Sequence, residues 1–235
     1  MRKFAAEALG TGILLAAVVG SGIMGERLSG GNTAIALLAN TIATGSTLVA
    51  IILALGSISG AHLNPAVTLA VAMERGILWT EVPVYLSAQI LGAFLGVAAA
   101  HGMFGESLFA ASLHARGGAA QMFSEFVATF GLLSIIWGCS RLRTEAVPFA
   151  VGAYITGAYW FTASTSFANP AVTLARSVTN TFSGIRPIDV PGFIVAQVAG
   201  ALAATVLWSW LVPALPKAAR EVVLPRREEN VVHGK

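Results

Sequence analysis

Long apolar segments without charge alternate along this chain with short segments that carry charged and polar residues. The first apolar segment runs from Ala8 to Gly25 over 18 residues, and charge-free segments also run from Leu28 to Met73 and from Ala146 to Ala175. About 20 consecutive apolar residues are enough for a helix to cross the hydrocarbon core of a bilayer. The pattern therefore predicts several membrane-spanning helices.

Six spans fit this pattern, because each of the two longest charge-free segments has room for a span, a loop and a second, shorter helix. Five spans are predicted at about residues 8–25, 33–55, 82–103, 123–140 and 190–212, and one more follows residue 146. The basic start of the chain also occurs in signal peptides, but no clean cleavage site follows it, so a first span is favoured. The charged segment 216–235 has no periodic apolar pattern and is predicted to be a mobile tail.

The seven residues NPAVTLA occur twice, at 64–70 and again at 169–175. Asn is a favoured helix N-cap, and Pro suits the first helical position. Each copy therefore predicts a helix that begins inside an apolar segment, at membrane depth. Half-helices of this kind mark the site in membrane carriers and channels.

The duplication extends beyond the seven residues, because FAAEALGTGILL is similar to FSEFVATFGLLS and SAQILGAF to VAQVAGAL. The matched polar residues are Glu7 with Glu125 and Gln89 with Gln197. Each half contains three spans and a half-helix, and an odd number of spans puts the halves in opposite orientations. The sequence predicts one membrane domain, 1–215, made of inverted repeats at about 1–104 and 121–215, with its site between them.

Composition identifies an integral membrane protein: the chain is 56% hydrophobic and 11% charged, against about 25% charged residues in soluble domains. Ten of the 14 Lys and Arg residues lie on one side if both termini are cytoplasmic, as the positive-inside rule requires. They are Arg2, Lys3, Arg75, Arg141, Arg143, Lys217, Arg220, Arg226, Arg227 and Lys235. The net charge of +3 is explained by this topology, so we predict no nucleic-acid partner.

Enzyme chemistry finds no support in the sequence. The single cysteine, Cys139, excludes an internal disulfide and a multi-cysteine metal site. His101 and His114 have the wrong spacing for a shared metal. No nucleophile–base pair, phosphate loop or metal signature occurs, so we do not expect an enzyme.

The two NPA motifs, the Ala-Glu pair in the first span, the phrase SGAHLNPAVT and the AQ-x-x-GA repeat resemble the aquaporin, or major intrinsic protein, superfamily over about residues 1–215. The resemblance implies an all-α membrane protein with six transmembrane helices and two re-entrant half-helices. It also implies one pore per subunit, a homotetramer in the lipid bilayer, and passive conduction of small neutral solutes without a cofactor. The motif residues are Asn64, Pro65, Ala66, Asn169, Pro170 and Ala171.

At the pore centre, the carboxamides of Asn64 and Asn169 can point N–H groups into the lumen and replace hydrogen bonds that a solute loses on leaving water. Each half-helix carries about half a positive charge at its N-terminus, which repels protons and cations. Ala66 and Ala171 are expected to pack the two helix ends closely. In the alternative interpretation the two asparagines are caps and nothing more.

The narrowest part of the pore departs from the family pattern. Most members have an arginine directly after the second NPA motif, and here Val172 takes its place. Alignment gives Thr44 and Ser166 as two further filter residues. The fourth is Tyr159 or, counted back from the second motif, Gly157, and we prefer Tyr159. Without the guanidinium we expect a wider, uncharged filter that passes solutes larger than water.

Arg176 complicates this prediction, because it follows Val172 by one turn and is rotated from it by only about 40°. In one interpretation Arg176 reaches back to the mouth as a displaced filter or vestibule residue. In the other it extends to the outer interface or bonds loop carbonyls.

The segments NPAVTLARS and TFSGIRP, with the valine filter, resemble a bacterial branch associated with arsenic-resistance operons. This resemblance implies a protein of the bacterial inner membrane that passes metalloid hydroxides such as arsenous acid, polyols such as glycerol, and water. The alternatives are a water-selective aquaporin, a proton-coupled transporter that uses Glu7 or Glu125, and a structural tetramer with a blocked pore. The passage of anions is left open.

Three of the five polar residues near the half-helices have both a functional and a structural interpretation. His62 is either a pore-facing pH switch or part of the cytoplasmic vestibule, lining it through its backbone. Glu7 and Glu125 could relay protons, but their symmetric placement favours a role as acceptors for loop N–H groups. Gln89 and Gln197 are expected to have the same structural role.

Overall fold

The computed structural model describes residues 1–212, without the side chains of residues 141 and 142. Within these residues every regular element is helical, with six longer helices and two short ones, which confirms the predicted fold class. The helices are α1 (Arg2–Leu28), α2 (Thr33–Ser59), α3 (Pro65–Met73), α4 (Val82–Phe104), α5 (Ala119–Leu142), α6 (Val147–Phe161), α7 (Pro170–Arg176) and α8 (Val190–Leu211). The predicted tail 216–235 and the predicted domain end at residue 215 lie outside the described residues.

The longer helices differ in length. Five of them, α1, α2, α4, α5 and α8, are long and apolar enough to cross a membrane. Helix α6 has 15 residues, which is about 22 Å of helix against about 30 Å of hydrocarbon. The 3₁₀ turn Thr144–Ala146 leads into α6, and a turn and a non-helical segment follow it from Thr162. The sixth predicted span is short because its last part is a non-helical segment that leads to the second half-helix.

The two halves have the same internal packing: α1 packs along α4, and α5 packs along α8. Glycine permits the close approach in both. A Cβ on Gly92 would collide with the carbonyl oxygen of Ala8, and a Cβ on Gly200 with that of Phe126. Both glycines lie three residues after the glutamine of the AQ-x-x-GA repeat, so the repeat encodes the same helix crossing twice.

Ion pairs show that α1 and α4 run parallel. Lys3 Nζ is 2.7 Å from Glu81 Oε1 where both helices begin, and Arg27 Nη2 is 2.8 Å from Glu106 Oε1 where both end. We call the surface at the first pair the N-terminal face and the surface at the second pair the opposite face. The connection 105–118 stays at the opposite face, and α5 begins there, so the second half runs inverted relative to the first.

Candidate functional site

A lumen runs between the two halves of the molecule and past both half-helices. Its walls enclose about 750 Å³ of empty space, open ends included. Most of the lining is apolar and comes from α1, α2, α5 and α6. The polar part of the described lining is Thr44, His62, Asn64, Tyr159, Ser166, Asn169 and Arg176. Together with Val172, these are residues that the sequence singled out, and they lie around one continuous space.

Both half-helices begin at a buried asparagine that borders the lumen. Asn64 Oδ1 accepts a hydrogen bond from the N–H of Ala66 at 2.9 Å, and Asn169 Oδ1 accepts one from the N–H of Ala171 at 3.0 Å. Both side chains are therefore N-caps, each followed by a proline at the first helical position. Both alanines are completely buried where the helix ends approach each other.

Each asparagine also bonds the loop of the other half. Asn64 Nδ2 donates to the carbonyl oxygen of Ala168 at 2.7 Å, and Asn169 Nδ2 donates to that of Leu63 at 2.7 Å. A carboxamide nitrogen carries two N–H groups. One N–H of each asparagine is thus held by the opposing loop, and the other is left for the lumen.

In the first half, Glu7 holds the loop that leads into α3. Its Oε1 accepts from the Ser59 hydroxyl at 2.6 Å and from the His62 N–H at 3.0 Å. Its Oε2 accepts from the Leu63 N–H and from Gln89 Nε2, both at 2.7 Å. Neither Glu7 nor Gln89 borders the lumen. Their hydrogen bonds therefore hold the loop in place from behind the pore wall.

The second half repeats this support with Glu125. The carboxylate accepts from the N–H groups of Phe167 and Ala168, both at 2.8 Å, and from Gln197 Nε2 at 2.6 Å. Gln197 Nε2 also lies 2.8 Å from Thr173 Oγ1, as a donor to the second half-helix. Glu125 and Gln197 are completely buried and lie outside the lumen lining.

These carboxylates hold two loops in a strained backbone. Ala61 and Leu63 have φ values of 44° and 52°, and Ser166 and Ala168 both have φ of 49°. Such left-handed conformations are unfavourable for residues other than glycine and persist only where surrounding contacts enforce them. With the loop N–H groups bonded to the acids, Ala61, Leu63, Ser166 and Ala168 border the lumen.

The predicted filter residues lie together on the side of the opposite face. The Tyr159 hydroxyl of α6 donates to Thr44 Oγ1 of α2 at 3.3 Å. Ser166 and Val172 border the same space. Gly157 lies instead on the exposed surface of α6, whereas Tyr159 is one of the residues that α6 contributes to the lumen.

Arg176 is the last residue of α7 and is only 2% exposed, so it does not extend to the membrane surface. Its Nε donates to the carbonyl oxygen of Ser183, in the segment that follows α7. Its guanidinium carbon lies 3.4 Å from the centroid of the Phe167 ring. Arg176 also borders the lumen. It therefore bonds a loop carbonyl and still reaches the mouth, which combines parts of the two expected roles.

Arg116, in the connection between the halves, carries no signal in the sequence. Its Nε donates to the carbonyl oxygen of Gly184 at 2.8 Å, and its Nη1 donates to that of Ser164 at 3.1 Å. Its guanidinium carbon lies 5.0 Å from the centroid of the Phe167 ring. Arg116 thus ties together the two segments that flank α7 and adds a second cation beside Arg176.

His62 and Phe167 occupy equivalent places, two residues before the capping asparagines. His62 borders the lumen, with its ring 4.9 Å from that of Tyr85 between centroids and its Nδ1 3.2 Å from Thr68 Oγ1. Phe167 also borders the lumen, and its ring meets that of Phe193 edge-on at 5.2 Å. The repeat could have identified Phe167 as a lumen residue, because His62 precedes the first motif at the same distance.

Comparisons with known proteins identify the family and the fold. The family model described as major intrinsic protein matches residues 1–147 and 138–233. Aquaglyceroporin AqpS of Rhizobium meliloti (strain 1021) is 55% identical over 216 residues, 92% of each chain. Aquaporin NIP1-1 of Oryza sativa subsp. japonica is 35% identical over 86% of this chain and 72% of its own. The structure of the aquaglyceroporin from Plasmodium falciparum has a similar fold, with a TM-score of 0.70 at 21% identity over 91% of this chain and 98% of its own.

Proposed function

The chain belongs to the major intrinsic protein family of membrane channels, and we propose that it passively conducts water, polyols such as glycerol, and metalloid hydroxides such as arsenous acid. It is a channel and not an enzyme. A relative that is 55% identical over nearly the whole chain is named an aquaglyceroporin, which supports a pore wider than one for water alone.

Val172 is the observation that carries this proposal. It borders the lumen directly after the second NPA motif, where most family members have an arginine. A valine offers no donor and no charge and is shorter than an arginine. The cation that is present, Arg176, is one turn farther along and is fixed by Ser183 and the Phe167 ring. The filter of Thr44, Tyr159, Ser166 and Val172 is therefore proposed to be wide and uncharged.

The lining suits a small solute that carries hydroxyl groups. Tyr159, Thr44 and Ser166 offer hydroxyls on one part of the wall, and the two asparagines each offer an N–H at the centre. The remaining wall is apolar, so it does not bind the solute tightly. A polyol or a metalloid hydroxide can exchange its hydration for these few bonds and move on.

The centre of the pore is proposed to exclude protons and cations. The N-termini of the two half-helices face each other, and their positive ends oppose a cation. A water that accepts from both asparagines is turned so that a continuous proton wire is broken. Because Glu7 and Glu125 lie behind the wall with their oxygens bonded to loop amides, they support the pore and do not relay protons.

Topology and assembly follow the family. The N-terminal face is proposed to be cytoplasmic, because the basic residues concentrate on that side. The protein is then a multi-pass protein of a bacterial inner membrane with both termini inside, a homotetramer with one pore per subunit, and a channel domain formed by residues 1–215. His62, which borders the lumen, is then proposed to line the cytoplasmic vestibule of this pore.

Stopped-flow light scattering on proteoliposomes tests the proposal, with water, glycerol and arsenous acid flux measured in wild type and in Val172→Arg. The added guanidinium narrows the filter, so we expect glycerol and arsenous acid flux to fall by at least about tenfold, a barrier of about 1.4 kcal/mol, while water flux is largely retained. Val172→Met is the matched control, because it adds length without charge. The proposal fails if wild type passes water alone, or if the arginine variant passes glycerol as fast as wild type.

A water-selective channel is the second candidate, because the bond between Tyr159 and Thr44 draws α6 and α2 together beside the lumen. Tyr159→Phe removes the hydroxyl and keeps the ring. If wild type conducts only water and Tyr159→Phe acquires glycerol flux, this bond sets the width and the second candidate holds.

A further inference from the structure

The mouth at the opposite face holds two arginines that pair with no carboxylate among residues 1–212. Arg176 and Arg116 both lie over the ring of Phe167. The ion pairs in the described part of the chain are those of Lys3, Arg27 and Arg186. The buried Glu125 already accepts from two loop N–H groups and a glutamine. Neither guanidinium at this mouth therefore forms an ion pair within the described residues.

Two residues of this mouth, Arg176 over the Phe167 ring and Ser166 directly before Phe167, also carry unpartnered polar atoms. Nine buried side-chain polar atoms lack a hydrogen-bond partner within the described residues. Two of them, Ser166 Oγ and Arg176 Nη1, belong to residues that border the lumen. Both residues are 2% exposed. A buried donor without an acceptor is costly, so a ligand that accepts from both atoms is stabilised here.

The chemistry of these atoms selects the class of ligand. Water or a neutral solute can accept from Arg176 Nη1, but it brings no opposite charge to the buried guanidinium. An oxyanion accepts from a guanidinium through charge-assisted bonds, which are about twice as strong as neutral ones. A second oxygen of the same anion can accept from the Ser166 hydroxyl.

Below this mouth the lumen is unsuited to a charged ligand. Val172, Leu48 and Ile52 border the path toward the centre. A dehydrated anion would have to cross this apolar stretch before it reached the asparagine N–H groups and the positive helix ends at the centre, and burying an unpaired charge among apolar side chains is costly. An anion that binds at the mouth is therefore expected to stay there and obstruct the path.

We infer that a small monovalent oxyanion binds between Arg176 and Ser166 and that the bound anion reduces the flux of neutral solutes through the pore. The inference relies on the proposed pore passing this mouth, and it does not depend on which neutral solute is conducted. The anion would be a ligand that blocks the pore, in addition to the neutral solutes that cross it.

Water flux in proteoliposomes, titrated with sodium methanesulfonate against sodium chloride at constant ionic strength, tests the inference. Methanesulfonate is small, permanently charged and tetrahedral. We expect wild-type water flux to fall to about half or less at about 50 mM methanesulfonate, as expected for simple occupancy of a weak site. Water is the readout because the result then stands whether or not glycerol is conducted.

The variants are compared as the fraction of their own uninhibited flux. Arg176→Gln is expected to lose the inhibition, and Ser166→Ala to weaken it severalfold. Arg27→Gln, at the same face but in an exposed ion pair, is expected to keep it. If Arg176→Gln does not reconstitute, Arg176→Lys retains a charge without the planar fork and is expected to bind methanesulfonate more weakly.

A binding measurement that needs no flux completes the test. Methanesulfonate is expected to raise the thermal midpoint of the detergent-solubilised wild-type protein more than chloride does, and the gain is expected to disappear in Arg176→Gln. The inference is overturned if methanesulfonate and chloride give the same flux and midpoint. It is also overturned if the arginine and serine variants respond like wild type, or if methanesulfonate itself is conducted.

Discussion

The two half-helices share seven residues and differ in the eighth. Each reads NPAVTLA, and the next residue is Val71 in the first copy and Arg176 in the second. Val71 is packed among apolar side chains, whereas Arg176 reaches a mouth of the lumen. The repeat therefore specifies the symmetric centre, and the residues just beyond it specify what each end of the pore can bind.

The segments after the half-helices extend this difference. From α3 the chain reaches α4 through residues 74–81, and from α7 it reaches α8 through residues 177–189. The longer segment folds back so that the Ser183 carbonyl accepts from Arg176, and the Ser183 hydroxyl donates to the Val18 carbonyl at 3.0 Å. The opposite face thus fixes a buried cation against α1, and the N-terminal face has no counterpart to this arrangement at Val71.

The largest effect is expected where the halves are most alike, at the buried acids. Glu7→Gln and Glu125→Gln each place an amide donor against loop N–H groups, so we expect each to lower the free energy of unfolding by about 3 kcal/mol. Glu7 accepts from four groups and Glu125 from three, so the loss should be greater for Glu7→Gln. Thermal denaturation in detergent measures the loss of stability of each variant, and the exposed Glu26→Gln is the control. Equal stability of Glu7→Gln and the control would contradict this.

Arg116 sharpens the comparison, because the first half has no residue in its place. Arg116→Gln removes the charge-assisted bonds to the carbonyls of Gly184 and Ser164. We expect a loss of about 2 kcal/mol in the free energy of unfolding, together with faster amide exchange in residues 177–189. Arg75→Gln, an exposed arginine on the other side, is the control and should change neither quantity. Unchanged exchange in Arg116→Gln would show that the segments are held by other contacts.

Arg176→Val makes the second half-helix continue as the first one does. Removing the side chain widens the mouth, so we expect the ratio of glycerol to water flux to rise by about threefold, corresponding to less than about 1 kcal/mol. Stopped-flow measurements on the same vesicles give both rates. A ratio that falls would mean that Arg176 assists glycerol entry and does not obstruct it.

The smallest effect is expected from the exposed ion pairs at the two faces. The hydrogen bond from Lys3 lowers the pKa of Glu81 below its usual value of 4.5. The contribution of this pair to stability is therefore complete above the usual pKa and is lost as the pH falls through the lowered value. Hydrogen exchange of the backbone amides at the start of α4, followed from pH 5 to pH 3, measures this loss of stability. Lys3→Gln should abolish the change, and Arg27→Gln should leave it intact.

Much of the fold follows from local sequence features. Asn-Pro at two places fixes where the half-helices begin, and the matched glutamates and glutamines lie behind the loops that these helices need. The choice of Tyr159 as a lumen residue follows from alignment with the family pattern within the second half. Each of these inferences depends on contacts within one repeat.

The features that the sequence did not predict depend on contacts between distant segments. Arg116 meets Gly184 across 68 positions, and the connection 105–118 has no periodic pattern from which its path could be deduced. The Ser183 carbonyl that holds Arg176 carries no information in its residue type, because every residue has a carbonyl. The shortness of α6 was missed because the helix and the segment after it are equally free of charge.

The bonds that cross between the two asparagine loops have a consequence for biosynthesis. The Asn64 amide donates to Ala168, and the Asn169 amide donates to Leu63. The ribosome adds about 5–20 residues per second, so the first loop waits about 5 to 20 seconds for the residues that complete it. During this interval the newly inserted first half holds an unfinished polar loop within the bilayer. Full closure of the pore wall is thus among the last steps of maturation, and any factor that shields the waiting loop acts before residue 169 has entered the membrane.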